Sequence, residues 1–474
     1  MGSSLLESTV TRTLGDLPGP KGLPLVGNAF QIDATQFHVT LENWAKQFGP
    51  MYRFSGGAKE LVVVSDPAII GSLLRDRPEA LRRTSRSARA FQELSTTGVF
   101  NAEGEEWRRQ RKLVMRALTP EVIRNFFPQL VALTDRLLRR WQQAVTAGVP
   151  VDVLRDLKAW TLDVTIALAM GQDINTLEHP DNPLQRDIEL IFLRVARRLT
   201  TPFSYWRYFK LPVDRAADAA SARIQASVAR FVDQARERLK ADPSRRTKPG
   251  NLLEAFVAAR DEPDSGFTDT NVIGNAVTMV FAGEDTTSNT IAWLMNFVAR
   301  DPRVAALVAA ETDAVLGESP VLDQFASLER FAYLDAAVDE AMRLKPVAPF
   351  LGLETNRDLV IGDVLVPART PVLVITRLAG TNAADFPEPD AFRPERWLGD
   401  KRAANEDPAR KLFPFGGGPR FCPGRYLALA EIKMAVSMTA RHFRLELDTA
   451  APPVRELFTF TMTPSALPVR LVPR

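Results

Sequence analysis

Residues 271 to 300 read NVIGNAVTMVFAGEDTTSNTIAWLMNFVAR, a run in which helical spacing holds almost without a break. Thr268 or Asp269 can cap its start, and Asp301-Pro302 stops it because proline cannot continue the ladder. At 1.5 Å per residue such a helix is about 45 Å long, the full width of a large domain. It is apolar on most faces, so it must run through the middle of the molecule rather than along its surface. Any fold this chain adopts is built round that helix. Midway along it, Gly283 to Asn289 interrupt the apolar pattern at the depth where polar groups cost most. A threonine there can bond back to the carbonyl four residues earlier and bend the helix, while a neighbouring glycine lets a ligand approach the backbone. Taken alone, the same residues also suit a solvent-facing stripe on a bent helix.

Helical periodicity extends over about 104 to 345. The pieces MYRFSGG and ELVVVSDP suggest an early hairpin, and strand-like pieces return in DLVIGDVLVPARTPVLVI, residues 358 to 375. The fold class is therefore mainly α with a minor β part. LPGPKGLPLVGN, residues 17 to 28, cannot be helix and reads as an extended lead-in. No internal repeat or Gly/Ser linker divides the chain, so residues 1–16 are expected as a flexible tail and 17–474 as one domain. The start has no apolar run long enough to span a bilayer, so no membrane anchor is expected. With a net charge of only +3, long-range attraction to nucleic acid should be weak. Basic clusters at 81 to 89, 107 to 112 and 244 to 248 read first as solvated faces or loops.

Cys422 is the only cysteine, which excludes an internal disulfide and makes the cytoplasm the simplest compartment. It lies in FPFGGGPRFCPGRY, where Gly416, Gly417 and Gly418 are expected to supply positive φ angles and an amphipathic helix begins just beyond the sulfur. At a helix N-terminus, with Arg420 adding to the field, the thiolate should be preferred over the thiol, and Gly424 leaves the backbone donors open to it. Such a sulfur is a nucleophile or a metal ligand. His442 is a poor base for it, since it sits about five turns along the same helix, whereas His38 and His179 stay open. One cysteine and three scattered histidines cannot build a zinc or iron–sulfur site, but haem needs only one protein ligand. Glu340 and Arg343 share a helix face and can pair, a weak signal by itself.

Together these residues resemble the haem-thiolate monooxygenases of the cytochrome P-450 superfamily. Phe415-Gly416-x-Gly418-x-Arg420-x-Cys422-x-Gly424 matches the cysteine-loop signature at each specified position. Trp107 and Arg111 resemble the Trp-x-x-x-Arg that meets the haem propionates, and Ala282-Gly283-Glu284-Asp285-Thr286-Thr287 the oxygen-activation motif. Glu340 and Arg343 resemble the Glu-x-x-Arg pair, and Arg396 in PERW the residue that joins it.

The resemblance implies a soluble bacterial-type member with haem b (iron protoporphyrin IX) and Cys422 as its metal ligand. Arg420, Trp107 and Arg111 would hold the propionates, with Phe415, Gly424, Ala282 and Gly283 as further cofactor contacts. Thr286 would hydrogen-bond O2 and Asp285 would feed protons, making these two the catalytic pair. One position departs from the family: Leu353 stands where many members carry a basic residue facing a propionate, and Arg357 or Arg377 are possible substitutes. The segments 87 to 100, 199 to 209, 279 to 282, 346 to 353 and 457 to 462 would line a largely apolar pocket, which implies a hydrophobic small-molecule substrate. Only 52 residues follow Cys422, so electrons are expected from an external donor, a ferredoxin or flavodoxin with its reductase, docking on Arg108, Arg109 and Lys112. A monomer is expected. The alternative is a haem-thiolate protein that binds a ligand or gas without turnover, and Asp285 with Thr286 argues against it.

Overall fold

A computed structural model describes residues 11–57, 59–94, 98–201, 203–263, 265–399 and 408–474. Its central helix runs from Asp269 to Arg300. Thr268 caps it by accepting from the Asn271 N–H, and Asn271 returns the bond, so two otherwise unpaired donors are satisfied. Asp301 ends it and, through its carboxylate, caps the next helix, Pro302–Leu316, whose first residue is the proline expected there. The same device, an acid or threonine followed by proline, opens Pro67–Arg75 and Pro120–Thr146.

The central helix is buried along most of its length and packs against Val153–Met170, which is itself buried on nearly every face. Further helices, Pro212–Ala241, Leu252–Asp261 and Arg425–His442, surround this pair and complete one large apolar core. A helix buried all round has no polar face to give to solvent, which is why both sequences lack a strong amphipathic stripe.

The β part brings the ends of the sequence together. A five-stranded sheet runs in the order Met51–Gly56, Lys59–Val64, Pro371–Ile375, Phe350–Thr355 and Leu81–Arg83. The early hairpin forms with Met51 opposite Val64. Val62 and Val64 point to one core with Val372 and Val374, while Val63 points to another with Leu373, Leu41 and Trp44. Alternate side chains of one strand thus cover both faces of the sheet. The lead-in is extended as expected, then turns at Leu23 to Gly27. Of the expected tail, residues 1–10 lie outside the described residues, and from Thr11 the chain is docked. Arg12–Thr13 pairs parallel to Val364–Leu365, and Arg12 binds Asp363 at 2.7 Å. Among the described residues no helix is long and apolar enough to cross a membrane.

Candidate functional site

The cysteine loop is held by backbone geometry. The Cys422 N–H donates to the Phe415 carbonyl at 2.9 Å, closing the loop on itself. Gly416 and Gly418 have φ of 71° and 63°, whereas Gly417 is extended at −161°, so two of the three glycines are needed for their conformation rather than all three. At Gly418 a side chain would also meet the carbonyl oxygen of Leu74 at 2.0 Å, so the loop rests directly on the end of Pro67–Arg75. Gly424 caps Arg425–His442, and its N–H points at the Cys422 sulfur.

The helix end is not the only influence on the sulfur. Burial pushes the Cys422 thiol up, and the Gly424 N–H and the Arg111 charge only partly offset this. The nearby cation is Arg111, not Arg420. Arg111 is half-buried, donates to the Phe421 carbonyl at 2.5 Å, and lies over the Phe421 ring. A sulfur held this way becomes an anion when a metal cation meets it.

Arg420 belongs to a second cluster. Its guanidinium lies 4.5 Å from the centre of the Trp107 ring, pairs with Glu103, and donates to the Ala102 carbonyl. Arg77 and Arg83 face the same carboxylate. Burial and mutual repulsion with Arg420 push the Arg77 guanidinium down, to about 10. Three guanidinium groups therefore share one carboxylate. Among the described residues, Nε and Nη2 of Arg77 and Nε of Arg420 are buried with no partner. A buried cationic cluster with spare donors calls for an anion, and the two propionates of haem are carboxylates of that kind.

Facing this is the central helix. Ala282 is exposed and Thr286 half-exposed, one turn apart, although their neighbours Phe281, Asp285 and Thr287 are buried. That face of the helix is therefore not covered by its neighbours. Thr286 Oγ1 donates to the Ala282 carbonyl at 2.8 Å, the back-bond anticipated from sequence, and the helix remains α-helical through it. Gly283, grouped with the cofactor contacts, has another role: a side chain there would come within 2.0 Å of Thr165 Oγ1, so the glycine lets Val153–Met170 approach closely. Asp285 is buried, accepts from Asn289 at 3.0 Å and from Thr461, and burial pushes its pKa up although Lys158 opposes this.

The cytochrome P450 family model matches residues 17–470. The chain is a cytochrome P450. It is 30% identical to the human mitochondrial 25-hydroxyvitamin D-1 alpha hydroxylase over 466 residues, spanning 94% of this chain and 89% of the relative. It is 27% identical to rabbit cytochrome P450 3A6 over 92% of this chain and 87% of the relative. It is also 24% identical to the probable cytochrome P450 4d21 of Drosophila melanogaster, over 94% and 91%. Membership brings a cysteine-ligated haem b and haem-thiolate monooxygenase activity, with O2, a substrate and a redox partner.

In this P450 the Glu-x-x-Arg pair is a network. Glu340 accepts from Arg343 Nε at 2.7 Å and Nη2 at 2.8 Å, from Arg396 Nε at 3.1 Å, from Trp397 Nε1 at 2.9 Å, and from the Arg393 N–H at 2.9 Å. Arg343 is fully buried and also ties down the carbonyls of Gly380, Pro389 and Ala391.

The missing charge at Leu353 has an answer that sequence reasoning did not find. Leu353 is buried in the sheet, directly across from Arg83 in the strand register. Arg83 has its N–H on Glu103 at 2.9 Å and its guanidinium 3.4 Å from the centre of the Phe100 ring. Arg377 is no substitute, being held by Glu42 and Glu456, and Arg357 is exposed. The cluster at 81 to 89 is accordingly not a solvated face: Arg82 pairs with Glu354 and Arg86 donates to the Arg198 carbonyl. Arg245 and Arg246 of the third cluster are likewise paired, with Glu254 and Asp261.

Of the pocket-lining segments, some converge and others do not. Phe91, Phe100, Phe192, Phe281 and Phe460 form one aromatic cluster, with Phe460 5.2 Å from Phe91 and stacked on Phe192 at 5.5 Å. Phe460 is held there at a φ of 96°, in the region that disfavours side chains, at the tip of the hairpin Glu456–Phe458 and Met462–Pro464. Residues 95–97 of the first segment and residue 202 of the second lie outside the described residues. Phe203, Tyr208 and Phe209 are exposed, so that stretch does not line the pocket. Phe350 joins Phe37 and Phe458 in a separate group. The histidines are engaged elsewhere or exposed: His38 on Glu456, His442 on the Pro320 carbonyl, His179 on the surface.

Proposed function

We propose that this P450 oxidises an apolar small molecule packed against the five phenylalanines, using electrons from a separate acidic protein. The observation that carries this reading is the convergence of those five rings, one of which, Phe281, directly precedes Ala282 on the central helix. Phe91, Phe192 and Phe281 are buried and Phe100 and Phe460 half-buried in this one cluster, and a polar substrate set against it would lose its water without compensation.

Bound haem supplies the one-electron chemistry and the activation of dioxygen. Cys422 would hold it through the sulfur, and the Gly424 N–H would temper the electron density there. Arg420, stacked on Trp107, and Arg111 hold the propionates, joined by Arg77 and Arg83. Phe415 and Ala282 would border the haem. On the central helix Thr286 could turn its hydroxyl from the Ala282 carbonyl to donate to the reacting oxygen, and Asp285 holds a proton nearby because burial favours its neutral form. The donor docks at exposed Arg109 and Lys112. Arg108 is withdrawn from that role because Glu79 and Glu105 neutralise it.

The test is a titration of apolar and polar ligands, read by the shift of the haem Soret band. Apolar ligands should displace the band, and Phe192→Gln should weaken them about tenfold, as the loss of one buried aromatic contact implies. Equal affinity in the variant, or shifts confined to polar ligands, would overturn the proposed substrate class.

A further inference from the structure

The hairpin that carries Phe460 into the aromatic cluster also reaches the central helix. Its turn is formed by Thr459, Phe460 and Thr461 and is closed by the Thr459 N–H on the Thr461 carbonyl at 3.0 Å. Phe460 stacks on Phe192 and meets Phe91 edge-on, so an apolar molecule packed on those rings competes with it for surface. Thr461, the next residue, is 4% exposed, and its hydroxyl donates to Asp285 Oδ2. Asn289 Nδ2 lies 3.0 Å from Asp285 Oδ1, 3.1 Å from the Thr461 hydroxyl and 3.0 Å from that of Thr463. Two adjacent residues of one tight turn thus touch both halves of the site, Phe460 the apolar rings and Thr461 the buried acid. Neither can move far without the other.

We propose, on the reading of the five rings as the substrate pocket and of Asp285 as the acid beside Thr286, that Thr461 is a positioning residue that makes Asp285 respond to occupancy of the pocket. In the structure Thr461 and Asn289 each hold one carboxyl oxygen of Asp285. A molecule seated against the rings displaces Phe460, the turn follows, and the Thr461 hydroxyl leaves Oδ2. Phe460 occupies a φ of 96°, which a side chain disfavours, so a shift of the turn toward ordinary backbone angles helps the movement. A donated hydroxyl favours the charged carboxylate, so its departure lets burial raise the proton affinity of Asp285, and the freed oxygen binds one proton from the medium. The other charged groups facing Asp285 are Lys158 on Val153–Met170, Glu189 on the helix Leu184–Thr200 and the neighbouring Glu284; none of them is on the hairpin. Binding and protonation therefore favour each other, and ligand affinity falls as pH rises between the free and the liganded value of Asp285.

The experiment uses the haem-loaded protein and biphenyl, an apolar probe with no titratable group, whose dissociation constant is read from the Soret shift between pH 5 and pH 8. The parent should bind about tenfold more weakly at pH 8 than at pH 5, the equivalent of a rise of about one unit in Asp285 on binding. Thr461→Val keeps the shape of the side chain without its hydroxyl and should flatten the profile; Thr461→Ser should restore it. Asp285→Asn should flatten it as well. A threonine that only braced the hairpin would change the affinity by the same factor at every pH. A flat profile in the parent, or a slope that survives either Thr461→Val or Asp285→Asn, would overturn the coupling. If biphenyl shifts the Soret band at no pH, the apolar pocket itself is misassigned, and the two failures are distinguishable.

Discussion

Replacing Glu340 by alanine removes the acceptor for five donors at once. Arg343 Nε and Nη2, Arg396 Nε, Trp397 Nε1 and the Arg393 N–H all lose their partner, and Arg343 is left fully buried with its charge uncompensated. Breaking a buried pair from one side costs about 3–5 kcal/mol, a third or more of the stability of a typical domain. The double change Glu340→Leu with Arg343→Met tests whether charge is the whole story. It removes the unpaired cation, but it also strands the carbonyls of Gly380, Pro389 and Ala391, which Arg343 now satisfies. At about 1–3 kcal/mol per buried orphan, the double variant should remain several kcal/mol below the parent. Urea unfolding of the haem-loaded protein, followed by far-ultraviolet circular dichroism and by the Soret band, measures both. A loss below about 1 kcal/mol in Glu340→Ala would refute the claim that this network holds the stretch from Gly380 to Trp397 in place. Full recovery in the double variant would show that the carbonyl contacts carry nothing.

Gly418→Ala should fail to hold haem: a φ of 63° strains any side chain by about 1 kcal/mol, and the new Cβ meets the rigid Leu74 carbonyl at 2.0 Å. Gly417→Ala, on extended backbone with the movable Leu74 side chain 3.3 Å away, should retain it; equal haem content in the two would count against this account of the loop. Because burial raises the Glu284 carboxyl in the folded state, the fold binds more protons there than the unfolded chain does. Stability should therefore fall as pH rises from the ordinary carboxylate range toward the folded value. Glu284→Gln lacks that slope, so its advantage over the parent in urea melts should grow between pH 5 and pH 8, by up to about 1.4 kcal/mol per unit. A constant difference would mean that Glu284 is not buried as described. Arg109→Glu with Lys112→Glu should slow reduction by an acidic donor at low salt, whereas Arg108→Glu should matter less because Arg108 is already paired; rapid-mixing kinetics with the order reversed would move the docking face elsewhere.

Much of what depends on neighbouring residues was legible locally, although Gly417 is extended where a positive φ was expected. The bounds of the central helix follow from Thr268 and from Asp301-Pro302, the back-bond of Thr286 from its place four residues after Ala282, and the pairing of Glu340 with Arg343 from their spacing of three. Each depends on residues within one or two turns, where covalent geometry alone sets who meets whom. What was not legible lies where partners come from distant segments. Burial of the Cys422 sulfur by the whole fold works against the pull of the local helix end. Thr165 packs against Gly283, and Glu79 pairs with Arg108, neither of which the local sequence shows.

By itself, the order of residues determined that one long apolar helix must cross the protein and that one sulfur must sit in a glycine-bent loop at the start of another, because periodicity and backbone freedom are properties of short segments. Only the tertiary structure decided how charge is distributed round the site. Arg83 lies opposite Leu353 only because their strands pair in that register, and Glu103 gathers Arg77, Arg83 and Arg420 only because the fold brings the stretch 77 to 83 and the cysteine loop together beside it. Electrostatic energy depends on distance and burial, and neither exists until the chain has folded.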